Sequence, residues 1–533
     1  MFKKKFLNKY IYLFLILIFI STLMYIFFSK KIETKPSKNL IVGRYTDSIS
    51  LDPSIATDSE SFQVSVNIFE NLVRLDSDGL TILPSLAESW RSSEDGLTWN
   101  FHIRPNVTFH DGNPLNAEAI VFNFQRWMND NNPYHTGQFT YWNQSFGGFP
   151  GMIKSVIAIS EYNVEILLNE PYAPFLNVLS LPAFGISSPE SIKKYNENLK
   201  FHPVGTGPFA LDQWDVGREV VLKRNENYWG KKAALDGLVF RVIDKKADID
   251  ALFKSSRLHI LEGAQWTDKD KIEASPHTIL RYKPMINISY LALNHSVAPF
   301  DDIRVRKAIG LLLNRDQIIS DALTPLSKPA STFLPPQSKS YHEGIKPLPQ
   351  NIEEAKKLLK EAGFEKGFNT TLWVSSTSRD YMTNPIGASS IIREQLKEAN
   401  INVHLKVLSW TDFLNSVKNG EHPMVLAGWN GDLLDPDNFL YTLFYSENTK
   451  PNLSLNYFFY KNASLDQLLK TARHTINEEF RTSLYRDAQE MIYNDFVGFP
   501  LVHTMSLCAI DYRVKNYKPS AIGHQWLYEV DFR

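Results

Sequence analysis

The stretch PMVLAGWNGDLLDPDNFL (Pro423–Leu440) sets an apolar run against three carboxylates, Asp432, Asp435 and Asp437. The run PMVLAGW has the length and composition of a buried strand, and NFLYTLF begins a helix. Upstream, Asn351 with Glu354 three residues later opens a helix whose apolar positions are Ile352, Ala355, Leu358, Leu359 and Ala362, ended by Gly363. SSIIREQLKEANI reads as a second helix and NVHLKVL as a strand, and Ser409 caps a short helix through Lys418. Strands and helices that alternate in this way predict an α/β lobe. Asp432 then lies in the loop just past the carboxyl end of a buried strand, where open α/β sheets bind ligands.

From the residues alone, the three carboxylates could be a metal site, a catalytic pair, an anchor for a cationic ligand, or a turn. An EF-hand loop counted from Asp432 would need Gly and Glu where the chain has Asp437 and Leu443. No His-x-x-x-His or Cys-x-x-Cys set occurs, and the 13 histidines are scattered. Asp435-Pro436-Asp437-Asn438 reads as a turn and N-cap. Asp432 follows Trp429, Asn430 and Gly431, so it can either end a turn or present its carboxylate to an ammonium. GTGPF (Gly205–Phe209) lacks the Lys-Ser/Thr of a nucleotide loop and reads as a turn, and no G-x-S-x-G elbow is present.

The rest of the chain points to an exported protein of several lobes. At 533 residues it is too long for one core, so two or three lobes are expected. MFKKKFLNKY followed by the uncharged run Ile11–Phe28 reads as a signal peptide or membrane anchor, and an uncleaved signal-anchor is favoured because the 18 apolar residues are not followed by an A-x-A site. The lone Cys508 excludes a disulfide framework. Residues 1–38 hold 8 Lys and 1 Glu. Without them, 49 basic residues stand against 57 acidic, a net charge of −8 that argues against nucleic acid as a partner. Between the ends, NLIVGRYTDSISLDP predicts a strand turning at Asp52-Pro53. GLTWNFHIRPNVTFHDG alternates apolar and polar residues (Trp99, Phe101, Ile103, then Val107 and Phe109) and predicts a half-buried strand pair with Asp111-Gly112 as the turn, and NAEAIVFNFQRWM predicts a helix after Asn116. VGTGPFALDQWDVGREVVLKRNENYWG predicts a hairpin whose second strand is Glu219–Arg224, and LDGLVFRVI a further strand.

Five phrases, taken in order, resemble the extracellular solute-binding proteins of family 5, the peptide, dipeptide and nickel binding subunits of ABC importers. They are Leu83–Arg126, Pro203–Trp214 (PVGTGPFALDQW), Arg224–Ile243 (RNENYWGKKAALDGLVFRVI), Phe300–Ile319 (FDDIRVRKAIGLLLNRDQII) and Gly428–Leu440. The likeness runs from about residue 40 to the end and is strongest to the dipeptide-binding branch. It implies an α/β fold of the large periplasmic-binding-protein type II, with two main lobes, a small third domain and a cleft that closes by a hinge. The implied partition is residues 1–38 as anchor or signal and linker; 39–82, 203–290 and 501–533 as domain I; 83–202 as the small domain II; and 291–500 as domain III.

The resemblance also implies ligand-binding roles. Asp432, three residues after Trp429 and next to Gly431, would hold the α-ammonium of a peptide. Arg379, in SSTSRDYMTNP, is the candidate for the peptide carboxylate, with a solvated loop arginine as the alternative. The chain departs from the dipeptide branch in lacking disulfides, in carrying SENTKPNLSLNYFFYKN in place of a cysteine-containing loop, and in placing Leu433 and Leu434 where polar residues are usual. The expected function is capture of short peptides outside the cytoplasmic membrane by a monomer. The peptides would pass to permease and ATPase subunits, with no cofactor, no metal, no catalysis, and a membrane contact through residues 11–28. A haem, glutathione or antimicrobial-peptide receptor on the same scaffold, or an exported hydrolase, is the alternative.

Overall fold

The computed structural model describes residues 38–76, 78–323, 327–523 and 526–533. The apolar run at residues 11–28 therefore lies outside the described residues, and among those described no helix is long and apolar enough to cross a membrane.

Among the described residues, three sheets of four or more strands organise the fold, beside two short two-stranded ones. A seven-stranded sheet runs in the order Thr278–Pro284, Met505–Asp511, Ile260–Ala264, Asn39–Arg44, Gly237–Val242, Glu219–Arg224, Phe209–Asp215. A six-stranded sheet has the order Lys328–Pro329, Gly498–His503, Asn287–Leu293, Met424–Asn430, Asn369–Ser375, Asn402–Leu408. The third is a four-stranded antiparallel sheet, Ala87–Ser92, Thr98–Ile103, Asn163–Leu168, Ile153–Ser160. Strands Asn287–Leu293 and Gly498–His503 straddle the boundaries expected at residues 290 and 500, and both belong to the six-stranded sheet.

The six-stranded sheet is buried on both faces, which its sequence pattern explains. In the central strand Asn287–Leu293 every residue is buried. Ile288, Tyr290 and Ala292 join one core, and Leu291 and Leu293 the other, because successive side chains of a strand point to opposite faces. Helices Ile352–Glu361 and Pro385–Lys397 cover one face, and Trp410–Lys418, Asp437–Phe444, Ala463–His474 and Glu478–Asn494 the other. Caps form where the sequence places them: Asn351 accepts from the Glu354 N–H, Asn116 from Ala119 and Ser409 from Asp412.

Two expectations need correction. Val107 and Phe109 are buried but do not form a second strand; Thr108 makes a single bridge to Pro114, because Asn106 turns the chain at φ 60° and ends the pairing after Ile103. Nor is GTGPF merely a turn. Gly205 and Gly207 lie against the backbone of Ile68, where a Cβ would meet the Ile68 carbonyl oxygen at 2.2 and 2.7 Å. The Thr206 hydroxyl donates to the fully buried Glu70 at 2.7 Å, and Tyr228 and Trp229 of the NENYWG phrase donate to the same carboxylate at 2.9 Å each. Two phrases, each more than a hundred residues from Glu70 in sequence, thus converge on one acceptor.

The chain crosses between the two large sheets at 285–286 and at Thr504. These crossings are tied together: Met285 N–H donates to the Thr504 carbonyl at 3.1 Å, and the Asn287 amide exchanges bonds with the Thr504 side chain and N–H at 2.7 and 3.0 Å.

Candidate ligand-binding site

Strands Asn369–Ser375, Asn402–Leu408 and Met424–Asn430 are parallel neighbours, with Asn369–Ser375 in the middle. The chain steps from the middle strand to one side and then back to the other. This reversal opens a crevice at the carboxyl ends, the usual ligand position in such sheets. Arg379 follows the first strand, Trp410 the second and Asp432 the third, so the topology brings residues far apart in sequence to one end of the sheet.

The Asp432 loop is held rigidly. Gly431 N–H donates to the Ile286 carbonyl at 2.7 Å, and a side chain at Gly431 would strike the Phe439 ring at 2.4 Å. Asn438 accepts from both the Asp432 N–H (3.2 Å) and Trp429 Nε1 (3.4 Å), fixing the indole and the loop together. The Asp432 carboxylate accepts a hydrogen bond from the Tyr141 hydroxyl at 2.9 Å. Burial pushes the Asp432 carboxyl up to about 6, against the opposing pull of that bond. No Lys, Arg or His among the described residues pairs with it. A carboxylate in this state gains most from a cation that arrives with a ligand.

Asp435 and Asp437 differ from the expected turn and cap. The turn exists, since Asp435 accepts the Asp437 N–H at 2.9 Å. The helix cap position, however, is taken by Pro436 without a side-chain bond. Both carboxylates are buried and paired: Asp435 with both terminal nitrogens of Arg481 at 2.9 and 2.6 Å, and Asp437 with Arg473 at 3.0 Å. The Arg481 guanidinium holds the Asp435 carboxyl below the ordinary range despite the burial. Asp435 also accepts from Asn177 of the small-sheet region at 3.0 Å.

A cavity of about 350 Å³ adjoins Asp432. Trp429, Asp432 and Leu433 line it from one side, and Tyr141 and Tyr172 come from the region of the four-stranded sheet. Leu433 is itself part of that region's hydrophobic core, and Leu434 is buried beside Gly79, so this apolar pair packs one body of the protein onto another. Arg379 does not line the cavity. Its guanidinium stacks on Trp410 at 3.7 Å, its Nε is buried without a partner, and the turn carrying it is closed by two bonds between Arg379 and Met382. Tyr141, Asn438 and Arg473 were missed by sequence reasoning. Tyr141 and Arg473 lie 291 and 41 positions from Asp432 with no motif to join them, whereas Asn438, six positions on, sits in the same phrase but was read only as part of a turn.

The arrangement of the three large sheets is that of the type II periplasmic-binding-protein fold. Residues 81–451 match the profile described as Bacterial extracellular solute-binding proteins, family 5 Middle, and the chain belongs to that family. It is 31% identical over 497 residues to the Heme-binding protein A of Haemophilus influenzae, covering 90% of each chain. It is 30% identical to the Dipeptide-binding protein of Escherichia coli K12, covering 89% of this chain and 90% of that one. Among solved structures, it matches the ABC transporter-associated periplasmic binding protein DppA from Helicobacter pylori in complex with peptide STSA, with a TM-score of 0.77 and 31% identity over 92% of this chain and 98% of that one.

Proposed function

We propose that this protein is the substrate-binding subunit of an ABC importer, capturing short peptides outside the cytoplasmic membrane and delivering them to a permease. The observation that carries the proposal is Asp432: a carboxylate paired with no cation among the described residues, facing a cavity, with its loop braced at Gly431 and Asn438. A peptide α-ammonium supplies the missing charge in a charge-assisted hydrogen bond, and Tyr141 keeps the carboxylate oriented until it does. Trp429 and Gly431 shape the loop. Arg379, already oriented by its stack on Trp410, meets the ligand carboxylate from the neighbouring strand end. The names of the dipeptide-binding relative and of the peptide-bound structure support this reading.

In this proposal the three sheets correspond to domains I, III and II, hinged at 285–286 and Thr504. Residues 1–38 hold the chain at the membrane as an uncleaved anchor. The protein performs no reaction, and ATP hydrolysis belongs to a separate subunit. A second reading, haem capture, rests on the relative named for haem.

Thermal-shift and calorimetric titration of the full-length protein with di-, tri- and longer peptides, glutathione and haem discriminates between these readings. Peptides should raise the melting temperature, and Asp432→Ala should cost roughly 2–5 kcal/mol of peptide affinity. Arg379→Gln should weaken free-acid peptides while sparing amidated ones. A response to haem alone overturns the peptide assignment.

A further inference from the structure

The cavity beside Asp432 has an uneven chemistry. Four of its lining residues are aromatic: Tyr141, Tyr172, Trp429 and Tyr441. Arg473 lays its guanidinium over the Tyr441 ring at 3.6 Å and over Tyr172 at 5.2 Å. The charges other than Asp432 are spent within the protein, since Asp435 is held by Arg481 and Asp437 by Arg473.

On the reading of Asp432 as the ammonium anchor, we infer that this cavity receives the side chain of the ligand's first residue and selects peptides that begin with an aromatic residue. The side chain branches from the carbon that bears the ammonium, so the wall next to Asp432 is the first surface it meets. A lysine or arginine side chain entering the cavity finds no free carboxylate once Asp432 has taken the ammonium. An aspartate or glutamate meets three carboxylates and a guanidinium already committed to Asp437. Each such charge would be desolvated without a partner. Alanine or valine leaves most of the ~350 Å³ unfilled, so wall atoms lose contacts. A phenyl or indole ring fills the space, packs edge or face against the tyrosines, and gains from the guanidinium held flat beside them.

The test is isothermal titration of the full-length protein with dipeptides of equal composition and reversed order, Phe-Ala against Ala-Phe and Trp-Gly against Gly-Trp, together with Ala-Ala, Lys-Ala and Glu-Ala. Phe-Ala and Trp-Gly should bind roughly tenfold or more tightly than their reversed partners and than the charged-first peptides. Ser145, half-buried on the helix Thr140–Phe146, also lines the cavity. Ser145→Phe places a ring of the protein's own there and should bring Phe-Ala down to the level of Ala-Ala. Thr442→Phe, from the opposite wall, serves the same purpose if Ser145→Phe fails to fold. Affinities insensitive to order, charged-first peptides that bind as tightly, or an aromatic preference that survives both filled-cavity variants would overturn the inference and leave the peptide reading standing. If no peptide binds the wild-type protein, the peptide reading falls, and this inference with it.

Discussion

At the scale of the residue, Asp432 is set against stability. Its carboxyl is raised to about 6, so the folded protein holds this proton to higher pH than the unfolded chain does. The stability linked to Asp432 is therefore fully present below the unfolded value near 4 and is lost as pH rises through about 6. Asp432→Asn should stabilise the ligand-free protein at pH 7.5, by on the order of 2 kcal/mol in denaturant titration. The same variant should lose peptide affinity, a trade typical of binding residues. Wild-type peptide affinity should fall as pH drops below about 6, because the protonated carboxyl cannot pair with an ammonium; an affinity flat from pH 7.5 to 5 would contradict this. The sequence set Asp432 apart from Asp435 and Asp437 through its place after a strand end, but it read the other two as a turn and cap and showed nothing of their ion pairs. Those two are distinguished by arginines 46 and 36 positions away.

At the scale of the element, the Asp435–Arg481 pair joins the loop after strand Met424–Asn430 to helix Glu478–Asn494, with Asp435 2% exposed. Removing one partner leaves the other charged and buried, so Arg481→Ala should cost about 3–5 kcal/mol of unfolding free energy. The paired change Asp435→Leu with Arg481→Met should cost much less, which chemical denaturation would show. Most helices and strands were legible, because caps at Asn116, Asn351 and Ser409 and period-two burial are local properties. The strand expected through Val107 and Phe109 was not, since apolar alternation survives in a buried turn. The meaning of GTGPF was equally hidden, because its partner Glu70 sits more than a hundred residues earlier.

At the scale of the whole molecule, both loops of the proposed site are bonded to the crossings between the large sheets. Gly431 donates to Ile286, and the Thr504 hydroxyl donates to the Asp380 carbonyl at 2.8 Å, next to Arg379. Peptide binding should draw the lobes together, visible as a smaller radius of gyration in small-angle scattering; a peptide that binds without compaction would argue against hinge closure. Acid stability has a second source. Burial pushes His110, His259, His295, His422 and His503 down to about 4, so the unfolded chain gains protons at these sites as pH falls below 6.5 while the folded protein does not. Stability linked to them is present above 6.5 and lost below it. Asp432 and Glu70, raised to about 6 and about 7, act in the opposite sense. Five groups outweigh two, so the melting temperature should fall from pH 6.5 to 4.5 in calorimetry.

The sequence by itself determined the α/β class, the family and the position of Asp432 at a strand end, because periodicity, capping and ordered motifs are written along the chain. Tertiary structure decided what that position means. It brought Tyr141 to the carboxylate, gave Asp435 and Asp437 to Arg481 and Arg473, and set Arg379 on Trp410 outside the cavity. Charge pairing and burial depend on distance in space, and the partners of each carboxylate come from segments that only folding brings within hydrogen-bond reach.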